Sequence, residues 1–208
     1  MNSKPTEIER LSALTVYERK LWQDGLCVGG MDEVGRGPFA GPVTACCVIM
    51  PQSPLIEGVN DSKKLSEKKR ELLYKRLTAT AVAYGIGWVD EKQIDEINIL
   101  NATKLAFSSA YRNLGRDCDM VLIDAVSGLN IPCSQMSIVH GDALSYSIAA
   151  ASIIAKVERD RYMIEMDKLY PQYGFAANKG YGTAQHISAL LKYGPCEIHR
   201  LSFIRSYI

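Results

Sequence analysis

At 208 residues the chain is the size of one large domain and can bury roughly 70% of its unfolded surface without disulfide or metal staples. With 47% apolar and 23% charged residues it is neither disordered nor fibrous, and its formal net charge of +1 neither demands nor excludes a polyanionic partner. Its longest apolar stretch, 147–155, falls far short of the roughly 20 residues that cross a bilayer. No apolar signal-like segment is seen, so a cytoplasmic protein without membrane contact is expected.

The six cysteines include no Cys-x-x-Cys pair, and Cys46 and Cys47 are neighbours inside an apolar run. Reduced, partly buried thiols are therefore expected rather than zinc or disulfides. Basic residues cluster at Lys63, Lys64, Lys68, Lys69 and Arg70, and again at Lys156, Arg159 and Arg161. Either cluster suits a polyanion, and either also suits a solvated helix face.

In chain order, residues 8–23 predict one helix, with Leu11, Leu14, Leu21 and Trp22 set among charges. Residues 26–31 read as a strand, followed by a Gly/Pro turn and a second strand over 43–50. Ser66 is an N-cap for a helix reaching about 77, and the alternation over 79–89 predicts a third strand. Helices near 90–96 and 99–114 precede an apolar strand at 120–123 and another at 136–139. A single long helix from Asp142 to about 169 has a first half rich in alanine, suited to close packing on a sheet. A helix at 184–192 ends the series. No repeat or linker divides the chain, so one α/β domain with a mixed sheet over 1–208 is expected.

The acids stand at the ends of these elements. Asp32 and Glu33 close the first strand and run into Gly35-Arg36-Gly37. Asp124 follows Val121-Leu122-Ile123, and Asp142 precedes the alanine-rich helix. Functional groups of open α/β sheets gather at the carboxyl ends of strands, so the four acids are candidates for one edge. Carboxylates brought together repel unless a cation lies between them, and all-oxygen ligation selects Mg²⁺ or Mn²⁺ over zinc. Each acid also has a plainer reading: Asp142 as a helix N-cap, Asp124 as a turn residue, Asp32 and Glu33 as loop acids, and Asp61 as a turn former. The glycine turn has peptide N–H groups to offer a phosphate but lacks P-loop and dinucleotide spacings, and a plain structural turn fits it as well.

Asp-Glu-Val-Gly-Arg-Gly-Pro-Phe-Ala-Gly-Pro-Val at 32–43 resembles the opening signature of the ribonuclease HII family. Asp61-Ser62-Lys63-Lys64-Leu65-Ser66, Leu122-Ile123-Asp124, the run from Gly141-Asp142 to Asp160, and Lys179-Gly180-Tyr181-Gly182-Thr183 with His186 resemble its further blocks, in the same order. The resemblance implies a ribonuclease H-like mixed β-sheet flanked by helices, with an N-terminal helix over about 1–24 and a helical substrate-binding part over about 170–208. It implies Asp32, Glu33, Asp124 and Asp142 as catalytic ligands of two divalent ions, Mn²⁺ or Mg²⁺. Gly35, Arg36 and Gly37 would recognise the 2′-hydroxyl of a ribonucleotide, which separates RNA from DNA. Tyr181 would stack on the adjoining deoxyribose, and Ser62 and Lys63 would contact the phosphate backbone. The implied partners are RNA–DNA hybrids and ribonucleotide-containing duplex DNA, cut by a monomer on the 5′ side of the ribonucleotide.

Val34, Ala125, His140 and Asn178 depart from the usual pattern of the family. His140 and His199 are expected to be structural rather than proton carriers. Arg36 between the two glycines favours type 2 over type 3 ribonuclease H, which has lysine there. A DNA resolvase or integrase on the same fold would leave the glycine turn and Tyr181 unexplained. A non-catalytic hybrid-binding module would not need four acids that repel phosphate.

Overall fold

The computed structural model describes residues 5–208. Two short helices open it, α1 (Glu7–Leu14) and α2 (Val16–Gln23), where one was expected. The break is at Thr15, whose backbone leaves helical geometry and whose hydroxyl donates back to the Leu11 carbonyl at 2.9 Å. Such back-bonding competes with continued helix.

Among the described residues, five strands form one mixed sheet: β1 (Val28–Val34), β2 (Val43–Ile49), β3 (Ala83–Val89), β4 (Met120–Asp124) and β5 (Ser134–Ile138). Their order is β3-β2-β1-β4-β5. The first three are an antiparallel meander, while β4 and β5 run parallel to β1. Between β2 and β3 lies α3 (Glu67–Thr80), capped by Ser66 as expected. It buries Leu73 and Leu77 and runs on to Thr80, so β3 begins at Ala83 rather than at 79. Ala79 and Thr80 suit helix as well as strand, which is why alternation misplaced that boundary.

The two helices expected after β3 are joined as α4 (Glu91–Asn113) across a kink at Asn98, where φ is 65°. The Asn98 side chain accepts from the Leu100 and Asn101 amides and so caps the second half. The long helix expected from Asp142 is also broken. A single turn, α5 (Gly141–Leu144), precedes α6 (Tyr146–Leu169), and Ser145 between them is extended and caps α6 through its hydroxyl. That hydroxyl donates to Glu18 at 2.5 Å, and the Ser147 amide donates to the same oxygen at 2.8 Å. Buried Glu18 thus ties α2 to the start of α6.

Period-two alternation along β2 divides the core. Cys47 and Ile49 face the α4 side with Ala106, Phe107 and Ala110, while Cys46 and Val48 face α6 with Ala149, Ala150 and Ile153. The expected helical end follows as α7 (Phe175–Asn178), α8 (Ala184–Tyr193) and α9 (Leu201–Ile204). It packs Tyr173, Phe175 and Ala189 around Ala40 and Met163. All six cysteines are free thiols. No helix among the described residues is long and apolar enough to cross a membrane.

Candidate active site

Parallel pairing of β1 with β4 matches Met31 to Ile123, which brings Asp32, inside β1 rather than past its end as expected, beside Asp124, the last residue of β4. Neighbouring strands lie about 4.8 Å apart, so the two acids share one edge of the sheet. Asp32 faces α6 and is 4% exposed, and its Oδ1 accepts from the Glu33 amide at 2.8 Å. Asp124 Oδ1 accepts from the Gly141 amide at 2.7 Å, which fixes the turn carrying Asp142 beside it. The plainer reading of Asp142 as a cap of the long helix is set aside: it lies within α5, and Ser145 caps α6.

Electrostatics separate this edge from an ordinary turn. Burial, then the neighbouring Glu33 and Asp124 charges, push the Asp32 carboxyl well above the usual range, against a lowering hydrogen bond from Ser152. Burial raises Glu33 as well, with Arg36 pulling it back and Asp124 adding to the rise. Asp142 is raised by burial and by Asp61 and Asp124, against Lys63. Glu33 Oε1 lies 3.4 Å from Arg36, its Oε2 is buried without a partner, and Asp142 lies 3.6 Å from Lys63 Nζ.

A crowded set of buried carboxylates with an unpartnered oxygen is a donor set suited to a hard divalent cation. Among the described residues no three of these groups converge into a ready-made cage. Arg36 and Lys63 instead offset two of the acids from 3.4 and 3.6 Å.

Beside the acids, Gly35 takes φ of 90°, open to glycine, and begins the turn. A side chain on Gly37 would sit 3.8 Å from the Tyr181 ring, which is 44% exposed, so turn and tyrosine form one surface. The Phe39 amide donates to the Gly180 carbonyl at 2.8 Å and holds the two segments in register. The Tyr181 carbonyl accepts from His186 Nδ1 at 2.9 Å, and His186 Nε2 meets His199 Nε2 at 3.0 Å. The Cys196 amide donates to His199 Nδ1 at 2.9 Å. These partners assign one neutral tautomer to each ring: His199 donates to His186, and His186 donates to Tyr181. His199 is thereby structural, whereas His140 is exposed in left-handed geometry ahead of α5.

Ser62 is buried, its hydroxyl sharing a 2.8 Å hydrogen bond with that of Ser152, while the Lys63 side chain is 78% exposed. The basic cluster read at Lys156, Arg159 and Arg161 is not one surface. Lys156 pairs with Asp160, Arg161 pairs with Glu71, and Arg159 is fully buried.

The profile of the family described as Ribonuclease HII matches residues 29–206. The chain belongs to the ribonuclease HII family. Ribonuclease HII of Ruminiclostridium cellulolyticum is 53% identical over 208 residues, all of this chain and 82% of that protein. Ribonuclease HII of Acetivibrio thermocellus is 56% identical over 203 residues, covering 97% and 79%. The crystal structure of ribonuclease H2 from Pyrococcus horikoshii OT3 matches with a TM-score of 0.73 at 28% identity, over 86% of this chain and 96% of that one. As a type 2 ribonuclease H, the chain is a hydrolase, a divalent-metal-dependent endonuclease that acts on RNA–DNA hybrids.

Ser152, Arg159 and Arg200 support the site without having been named for it from sequence, while Asp61 and His186 fall within the blocks quoted above. For two of them a signal exists: Ile148, Ser152, Ala155, Arg159 and Met163 recur every three or four residues, so Ser152 and Arg159 lie on the buried stripe of α6.

Proposed function

We propose that this chain hydrolyses the phosphodiester on the 5′ side of ribonucleotides, both within RNA–DNA hybrids and embedded singly in duplex DNA. The reading is carried by one juxtaposition: buried, mutually repelling acids at the β1 and β4 ends lie beside the glycine turn and Tyr181. Asp32, Glu33, Asp124 and Asp142 would hold two divalent ions, Mg²⁺ or Mn²⁺, through carboxylate oxygens. Bound ions of this kind supply a water nucleophile at neutral pH and neutralise charge on the departing oxygen. The bond from phosphorus to the preceding 3′-oxygen breaks, leaving a 3′-hydroxyl on one fragment and a 5′-phosphate on the ribonucleotide.

The peptide groups of Gly35, Arg36 and Gly37 bind the 2′-hydroxyl, and the exposed Tyr181 ring covers the adjoining deoxyribose. Lys63 reaches the phosphate backbone from its exposed position, while Ser62, committed to Ser152, anchors it. The chain works as a monomer, with residues 170–208 forming part of the substrate surface.

The test is incubation with a duplex carrying one ribonucleotide, with Mg²⁺ or Mn²⁺ and then with chelator. All-DNA duplex and an Asp124→Asn variant are run alongside. Metal-dependent cutting 5′ of the ribonucleotide, lost in the variant and absent on all-DNA, is expected. Folded protein that binds the duplex but cuts with neither metal overturns the reading.

A further inference from the structure

Two arginines, Arg159 on α6 and Arg200 just before α9, are fully buried beneath the glycine turn. Among the described residues neither forms an ion pair with a carboxylate. Three acids act on them without pairing: Asp160 is engaged by Lys156 and Arg70, Asp95 by the Leu201 and Ser202 amides, and buried Glu91, whose Oε1 has no hydrogen-bond partner, offsets part of both charges at longer range. Burial, and for Arg200 the nearby Arg159 charge, lower both guanidinium pKa values, to about 9 for Arg200, which still leaves it protonated at neutral pH. Two buried cations without a direct ion pair are costly unless their N–H groups are filled.

They are filled by main-chain carbonyls. Arg200 donates to the carbonyls of Gly35 at 2.6 Å, Arg36 at 3.1 Å and Gly41 at 2.6 Å. Arg159 donates to Pro42 at 2.9 Å, Ala40 at 3.0 Å and Lys179 at 2.9 Å. A trans peptide sets its N–H opposite its C=O. With the Gly35 and Arg36 carbonyls drawn inward, the Arg36 and Gly37 amides are turned away from the arginines. Among the described residues neither amide donates to another protein group. Gly35 packs directly on the support, since a Cβ there would lie 2.7 Å from Arg159 Cδ.

We infer that Arg159 and Arg200 are the positioning residues for ribonucleotide discrimination, presenting the Arg36 and Gly37 amides to the ribose and clamping the turn to Tyr181 through the Lys179 carbonyl. This rests on the function proposed above, in which the turn reads the 2′-hydroxyl. Lysine is no substitute, because one ammonium cannot span three fixed carbonyls as a planar fork does.

The experiment compares binding to matched duplexes with and without one ribonucleotide, in an Asp124→Asn background so that nothing is cut. Arg200→Lys and Arg200→Met are each expected to lower the affinity ratio between the two duplexes by at least about tenfold, while affinity for all-DNA stays within about threefold. Thermal melting checks that each variant is folded. A folded variant that keeps the parent ratio overturns the inference. A parent that does not distinguish the duplexes overturns the underlying reading, and the inference falls with it. A measurement on the parent alone covers the case of an unfolded variant. By amide NMR, the Arg36 and Gly37 signals are expected to move with the ribonucleotide duplex and not with all-DNA, and their failure to do so also overturns the inference.

Discussion

Adjacent glycines in β1 should respond to alanine in opposite directions. A Cβ on Gly30 would lie 2.5 Å from Ser147 Cβ and nearer still to that residue's backbone. Ordinary contact begins at 3.4 Å, so α6 must retreat by about 0.9 Å or more. Overpacking of a tight core costs about 1–3 kcal/mol, and helix backbone cannot rotate away, so the upper end applies. At roughly 2–4 °C per kcal/mol for a domain of this size, Gly30→Ala should lower Tm by about 6–12 °C. Activity should fall further than stability accounts for, because α6 also carries Ser152 toward Asp32 and Arg159 under the turn. At Gly29 the added Cβ meets Val121, Cys118 and Cys47 at 3.4–3.7 Å, which is ordinary packing. Gly29→Ala should therefore leave stability unchanged or raise it by about 0.4–1 kcal/mol through the unfolded chain. Thermal melting with cleavage assays on both variants measures this. Equal Tm values for the two would refute the claim that α6 backbone rests on Gly30.

Asp124→Asn keeps an acceptor for the Gly141 amide, so it should abolish metal-dependent cleavage with little change in Tm; lost folding would instead mark Asp124 as structural. Burial and His186 depress the His199 pKa to about 4 from 6.5, so the folded state refuses a proton that the unfolded state accepts. Stability should therefore fall as pH drops from about 6.5 toward 4, and urea midpoints that stay level across that window would contradict it. Burial raises Glu18 above its usual 4.5, which reverses the sign: its contribution is full below about 4.5 and lost as pH rises through the higher folded value. Glu18→Gln should flatten that part of the urea-midpoint profile, and an unchanged slope would argue against ionisation at this site. Tyr181→Ala should raise KM for a single-ribonucleotide duplex about tenfold, an effect of ~1.4 kcal/mol, while Tyr181→Phe stays near the parent; similar losses in both would point to the hydroxyl instead of the ring.

Much of the architecture is legible in local pattern because sheet and helix periods differ. Cys46 and Cys47 point to opposite core layers, and the alanine run of α6 announces close helix–sheet packing. Boundaries are less legible where a hydroxyl competes with the helix backbone. Thr15 ends a helix through a local bond to the Leu11 carbonyl, whereas Ser145 does so beside Glu18, more than a hundred positions away. The acids could be found because each stands at the end of an apolar run. Their supports are harder to read: spacing along α6 marks Arg159 as buried, but only the fold shows its donors filled by the carbonyls under the turn. Ser62 shows the reverse error, an apparent surface hydroxyl that is spent on Ser152.

The clasp made by Arg200 also bears on how the molecule comes together. It joins carbonyls lying 159 to 165 positions earlier in the chain, whereas the β1–β2 hairpin closes over a short turn. Closing so long a loop costs entropy that grows slowly with length, about 0.6 kcal/mol per doubling, but pairings of this kind delay folding. In chain order every residue of the acid edge, through Asp142, precedes the arginine that closes on the glycine turn. A chain halted short of Arg200 therefore holds all four acids but lacks the guanidinium that fills the Gly35 and Arg36 carbonyls.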